Sequence, residues 1–181
     1  CKCIIIGDAA VGKTSIVKSL LGPPNQFPKK YLMTCGVDIL TKTLRVPDSN
    51  DIIELFIYDC SGKNIYHEMV QKVCSCNVSL IVAVFDVTNE QSFISLQHWL
   101  SELTKVNKKS ESIVGIILGN KIDIINNRVT SSDEAHQLAK KHKMRYFDCS
   151  AKDMNGIEES FLYLITTWSD MRKNDKKQES L

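Results

Sequence analysis

The strongest chemical signal lies near the N-terminus, where Gly7-Asp8-Ala9-Ala10-Val11-Gly12-Lys13-Thr14 fits the pattern G-x-x-x-x-G-K-[ST]. Glycines in such a loop allow a tight turn whose backbone N–H groups point inward at phosphate oxygens. A helix opening at the lysine adds the positive end of its dipole. Lys13 can reach terminal phosphates, and the Thr14 hydroxyl can ligate Mg²⁺. Ala10, Val11, Gly12 and Ser15 complete the expected cradle.

Phosphate loops serve several chemistries, so the base must be read elsewhere. Asn120-Lys121-Ile122-Asp123 follows an apolar run at 113–118. A carboxylate at Asp123 can accept from both the N1–H and the exocyclic amine of guanine. Adenine offers one donor there and turns an acceptor toward the acid, and a site left with unpaired buried polar groups discriminates strongly. Ser150-Ala151-Lys152 can supply a backbone N–H to the guanine oxygen, and Phe27 can pack an aromatic edge on the base.

Asp59-Cys60-Ser61-Gly62 offers a carboxylate to hold Mg²⁺ through water and a Gly62 N–H for a γ-phosphate. Thr34 offers a second hydroxyl to the metal. Mg²⁺ prefers near-octahedral oxygen ligation shared with phosphates, which Thr14, Thr34, Asp59 and water would satisfy. Taken singly, N-K-x-D and D-x-x-G are weak signals. In this order after a phosphate loop they are strong.

These positions need a scaffold that gathers them. Short apolar runs alternate with longer helical stretches, the pattern of a mainly parallel sheet flanked by helices. Strands are expected at Cys3–Ile6, Leu80–Phe85, Ile113–Leu118 and Arg145–Cys149. Asp38–Val46 and Asp51–Tyr58, joined by Pro47-Asp48-Ser49-Asn50, read as an antiparallel hairpin. A helix should start near Lys13 and stop at Gly22-Pro23-Pro24. Phe93, Leu96, Trp99, Leu100 and Leu103 recur at helical spacing, as do Ile157, Phe161, Leu164, Ile165, Trp168 and Met171. Both stripes read better as core than as partner-binding faces. The polar tail 173–181 is expected to fray.

With 181 residues the chain has the size of one domain, and its formal charge of +2, with no Lys/Arg stripe, argues against nucleic acid. No apolar run approaches the ~20 residues of a membrane-spanning helix. The seven cysteines form an odd set without disulfide-scaffold spacing, and Cys74-x-Cys76 is too tight for a usual zinc pair. Reduced thiols in a cytosolic-type compartment are the plain reading.

Together the five elements make the chain resemble the Ras superfamily of small GTPases over essentially its whole length. That resemblance implies a single α/β domain over residues 1–172 with a phosphate loop. Its sheet would be six-stranded and mostly parallel, with one antiparallel strand and about five helices. The segments 31–38 and 85–93 look most like the Rab branch. Thr41-Lys42-Thr43, Val46-Pro47-Asp48 and the run 54–63 are similar to the Rab-like GTPases of the ciliary transport B complex. The resemblance implies bound GTP or GDP with Mg²⁺, and partnership with intraflagellar transport protein 25 and other transport B subunits. It also implies nucleotide-dependent effectors and work in cargo movement in the cilium or flagellum and the cytoplasm.

Three departures from ordinary Rabs bear on mechanism. Lys63 stands where most Rabs carry the glutamine that orients the attacking water. An ammonium has three donors and no acceptor, so slow intrinsic hydrolysis is expected. Ile39 and Tyr58 replace the usual Phe and Trp, and Cys35 an apolar Ile, on the effector-reading face. The segment Lys177–Leu181 has no cysteine for a prenyl group, so membrane anchoring is expected through partners. Against this reading stand a structural subunit that holds nucleotide without cycling, a membrane-trafficking Rab, and, more remotely, an ATP-using phosphotransferase.

Overall fold

A computed structural model describes residues 1–22, 33–106 and 113–179. Phe27 lies outside the described residues, so the expected aromatic edge on the base has no structural account. Among the described residues six strands form one sheet: β1 (Lys2–Ile6), β2 (Val37–Arg45), β3 (Ile52–Cys60), β4 (Leu80–Asp86), β5 (Val114–Asn120) and β6 (Arg145–Asp148). Their order across the sheet is β2-β3-β1-β4-β5-β6. Only β2 runs antiparallel, paired with β3. The expected sheet is thus the observed one.

Among the described residues, five α-helices cover it: α1 (Lys13–Leu21), α2 (His67–Cys74), α3 (Glu90–Val106), α4 (Ser132–Lys141) and α5 (Ile157–Glu179). Central strands are buried on both faces, because successive side chains point to opposite sides and each side meets a helix layer. Cys3 and Ile5 pack with Ile16 and Leu20 of α1 and with Phe161 and Leu164 of α5. Ile4 and Ile6 pack instead with Val70 of α2, Leu96 and Leu100 of α3, and Leu138 of α4. The two apolar stripes of the sequence are therefore core.

Two helices, α2 and α4, have no counterpart among the expected elements. The α4 helix carries a legible start, since the Ser131 hydroxyl accepts from the Glu134 N–H while the Glu134 carboxylate accepts from the Ser131 N–H. The short α2 buries Val70 and Cys74 in the core, with the half-buried Val73 packed against it. Of the tail 173–181 expected to fray, the described residues 173–179 are instead helical. The α5 helix runs on to Glu179. Lys173 reaches back 2.7 Å to Asp51 in the β2–β3 turn, where Ser169 also donates to Asp51 at 3.2 Å. Among the described residues, no helix is long and apolar enough to cross a membrane.

What this topology does for function follows from strand direction. β1, β3, β4, β5 and β6 are parallel, so Gly7, Asp59, Asp86, Asn120 and Ser150 all emerge at or just beyond one sheet edge. Open α/β sheets place ligands in the crevice at that edge.

Candidate functional site

A cavity of about 430 Å³ opens there. Of the residues singled out in the sequence, Ala10, Gly12, Lys13, Thr14, Ser15, Thr34, Gly62, Lys63, Asn120, Lys121, Asp123, Ala151 and Lys152 line it. Val11, Ser150 and Asp59 do not line it and act through neighbours that do. Lys18, Met33 and Ile124 also line the cavity, and nothing in their type or spacing announces them.

The loop from Gly7 to Gly12 owes its shape to glycine at its ends. Gly7 has φ +136°, and a Cβ there would lie 2.1 Å from the Val84 carbonyl oxygen. Gly12 has φ +100°, and a Cβ there would lie 2.1 Å from the Asn120 side-chain nitrogen. Both conformations are strained for any residue with a side chain. Lys13, buried, donates to the carbonyl oxygens of Gly7 at 2.8 Å and Asp8 at 2.7 Å. Its burial lowers the ammonium pKa to about 8, against the pull of Asp59, Cys60 and Asp8.

Thr14, Thr34 and Asp59 come from three separate segments and meet. The Thr14 hydroxyl donates to Asp59 Oδ2 at 2.5 Å and lies 2.8 Å from the Thr34 hydroxyl, which reaches Asp59 Oδ2 at 3.4 Å. Asp59 Oδ1 is buried and, among the described residues, has no hydrogen-bond partner. Burial raises the carboxyl pKa, while the Thr14 hydroxyl and Lys13 oppose that rise. An unpaired buried carboxylate oxygen beside two hydroxyls fits a hard divalent cation shared with phosphate oxygens. On the far side of the loop, Gly62 packs so closely that a Cβ would lie 2.2 Å from the Ala9 nitrogen and the Asp8 carbonyl carbon.

The end of the cavity at β5 and β6 is built as a braced corner. Asn120 is 1% exposed; its side-chain nitrogen donates to the Val11 carbonyl at 2.8 Å and its oxygen accepts from the Ala151 N–H at 3.0 Å. Lys121, at φ +73°, places its ammonium 2.5 Å from Asp86 Oδ2 at the end of β4. The Asp123 carboxylate accepts from the Ser150 hydroxyl at 2.8 Å and faces the Lys152 ammonium at 3.7 Å. Asp86 is not among the residues that the sequence motifs single out, although an acid closing a fully buried strand at the ligand edge is a usable signal.

Similarity agrees with this geometry. The Ras family profile matches residues 2–170. An intraflagellar transport protein 27 homologue of Mus musculus is 39% identical over 160 residues, covering 88% of this chain and 85% of the relative. The homologue of that name in Trypanosoma brucei brucei is 32% identical over 155 residues, 86% of this chain and 82% of the relative. Ras-related protein Rab-1 of Theileria parva is 32% identical over 170 residues, 93% of this chain and 74% of the relative. The Ras-family match, laid over a fold with a phosphate loop at the sheet edge, implies guanine-nucleotide binding. The chain belongs to the Ras family, as a Rab-like small GTPase similar to the intraflagellar transport protein 27 homologues.

Proposed function

We propose that this chain is a GTP- and GDP-binding subunit of an intraflagellar transport complex, with intraflagellar transport protein 25 as a partner, acting in ciliary or flagellar cargo movement. The observation that carries the nucleotide-dependent part is the meeting of Thr34 and Gly62 on the phosphate loop. Thr34 sits 2.8 Å from Thr14, and Gly62 is pressed against Asp8 and Ala9. Thr14 and Thr34 would hold Mg²⁺ directly and Asp59 through water, with Asn120 and Asp123 placing guanine. The metal supplies charge neutralisation on the terminal phosphates when bound.

Segments tied to the phosphate loop can report which phosphates are present. A partner surface adjoins both of them. Ile39 and Phe56 are exposed on one face of the β2–β3 hairpin, and Ile65 and Met69 are exposed beside it. Gly36 and Met69 touch, since a Cβ on Gly36 would lie 2.8 Å from the Met69 sulfur. The transport assignment itself rests on similarity to the homologues above.

A second reading is favoured by Lys63, which is exposed on the cavity wall. If hydrolysis is slow, nucleotide could serve mainly to stabilise the subunit, by roughly 4 kcal/mol at 1,000 times its dissociation constant. Purification of the tagged chain from ciliated cells, with bound nucleotide identified and partners captured in GDP- and GTP-loaded forms, separates the two. Equal capture in both forms sinks the switch reading; absence of transport proteins sinks the assignment to that complex.

A further inference from the structure

Asp8 is an acid within the phosphate loop, yet its side chain is engaged by α3 and not by the cavity. Ala9 and Ala10 line the cavity and Asp8 does not. Its carboxylate Oδ1 accepts from the Trp99 indole N–H at 2.9 Å, a bond between residues 91 positions apart. Trp99 stands on α3 and has a second contact. The His67 ring of α2 packs on it with centroids 5.7 Å apart. Gln71 bridges α2 to α3 through His67 at 2.9 Å and Glu102 at 3.0 Å. Leu96, Leu100 and Leu103 on the same helix are buried, so α3 cannot slide without losing core.

A carboxylate free to swing into a cavity built for a polyphosphate would repel it, and that repulsion is strong where water is partly excluded. Holding the acid outward removes the conflict. We propose that Trp99 is a positioning residue for nucleotide retention: its indole N–H keeps the Asp8 carboxylate out of the phosphate cradle. This rests on the guanine-nucleotide reading of the site. It adds an electrostatic role for a residue that spacing alone places in the core.

The test measures release of fluorescent GDP from the full chain. Trp99→Phe keeps the ring packing and loses the donor, and should speed release about tenfold. Asp8→Asn removes the charge and should slow release, by up to about threefold. In the Trp99→Phe/Asp8→Asn double variant most of the acceleration should vanish, because no carboxylate remains to repel phosphate. A purely structural Trp99 would give the same acceleration in both backgrounds, and that result, or no acceleration at all, overturns the proposal. If Trp99→Phe is too unstable to purify, Asp8→Glu takes its place. The longer acid overreaches the indole and should speed release, opposite in sign to Asp8→Asn. Shifts of the same sign overturn the proposal. A wild-type chain that takes up no guanine nucleotide removes the site reading and this inference together, whereas normal wild-type binding with the wrong variant pattern removes only this inference.

Discussion

Asn120 and Val11 are joined by a 2.8 Å hydrogen bond across 109 residues of sequence, from the side-chain amide of one to the main-chain carbonyl of the other. The same amide's oxygen accepts from Ala151 at 3.0 Å. One buried side chain therefore ties the phosphate loop, the end of β5 and the loop after β6 into a single corner. In this structure its role is bracing.

Asn120→Ala should lose both braces at once. Each orphaned buried backbone group costs about 1–3 kcal/mol. We expect the nucleotide-free chain to lose about 2–4 kcal/mol in denaturant unfolding and GDP affinity to fall about 100-fold by fluorescence titration. A variant of normal stability and affinity would show that the corner is redundant.

Gly62→Ala tests the seam between the phosphate loop and the segment leading to α2. The added Cβ would fall 2.2 Å from the Asp8–Ala9 backbone, where neither partner is a flexible side chain, so the segment must withdraw. GTP affinity should fall more than about tenfold while GDP affinity stays within about threefold. Equal losses for both nucleotides would detach Gly62 from the γ-phosphate.

Much of this site is legible in the amino-acid sequence, for a physical reason. Phosphate loops and base-reading acids are contiguous motifs at strand ends, and strands buried on both faces announce themselves by composition. What stays hidden depends on contacts between distant positions. Trp99 fits a core stripe by spacing and is recruited for its N–H only by the approach of Asp8. Lys121 carries a motif role in the sequence but is anchored by Asp86, which no motif names. Ser169 and Lys173 of α5 meet Asp51 in a turn more than a hundred residues away, a pairing that no local pattern announces.

Asp123→Asn should rewrite base preference. The Asp123 carboxylate lines the cavity and is oriented by the Ser150 hydroxyl at 2.8 Å, which an amide oxygen could still accept. An amide also offers a donor where the acid accepted from guanine's amine, so it suits xanthine, which carries an oxygen at that position. GTP affinity should drop about 1,000-fold or more with xanthosine triphosphate partly replacing it. Retained guanine preference in competition titrations would remove Asp123 from the base contact.

Alkaline stability should report the buried thiols. Burial raises Cys3 and Cys149 each to about 12 from an ordinary 9.0. Between these values the unfolded chain releases the proton and the folded chain keeps it. Stability is therefore fully present below pH 9 and is lost as pH climbs toward 12, at about 1.4 kcal/mol per pH unit for each thiol. Lys13, lowered to about 8, contributes the opposite sign between 8 and 10.5, so single-site comparison is needed. Cys3→Ala should flatten the fall in urea midpoint between pH 9 and 10.5 relative to wild type, both kept reduced. Parallel slopes would contradict this assignment.

We propose that Lys63 sets the pace of GTP hydrolysis. It lines the cavity next to Gly62, and its backbone N–H leans on the Ser61 hydroxyl at 3.4 Å. Its ammonium can only donate, so it cannot accept from an attacking water while directing that water's lone pair at phosphorus. A glutamine amide can do both, and Lys63→Gln should raise single-turnover GTP hydrolysis about tenfold or more. The ammonium can still offset negative charge developing on the phosphate. Lys63→Ala, which neither poises water nor neutralises charge, should therefore be slower than wild type. The ordering Gln above Lys above Ala supports a residual electrostatic role. Lys and Ala variants of equal rate would mean the side chain stays clear of the phosphate, and equal Lys and Gln rates would show that position 63 does not face the reacting water.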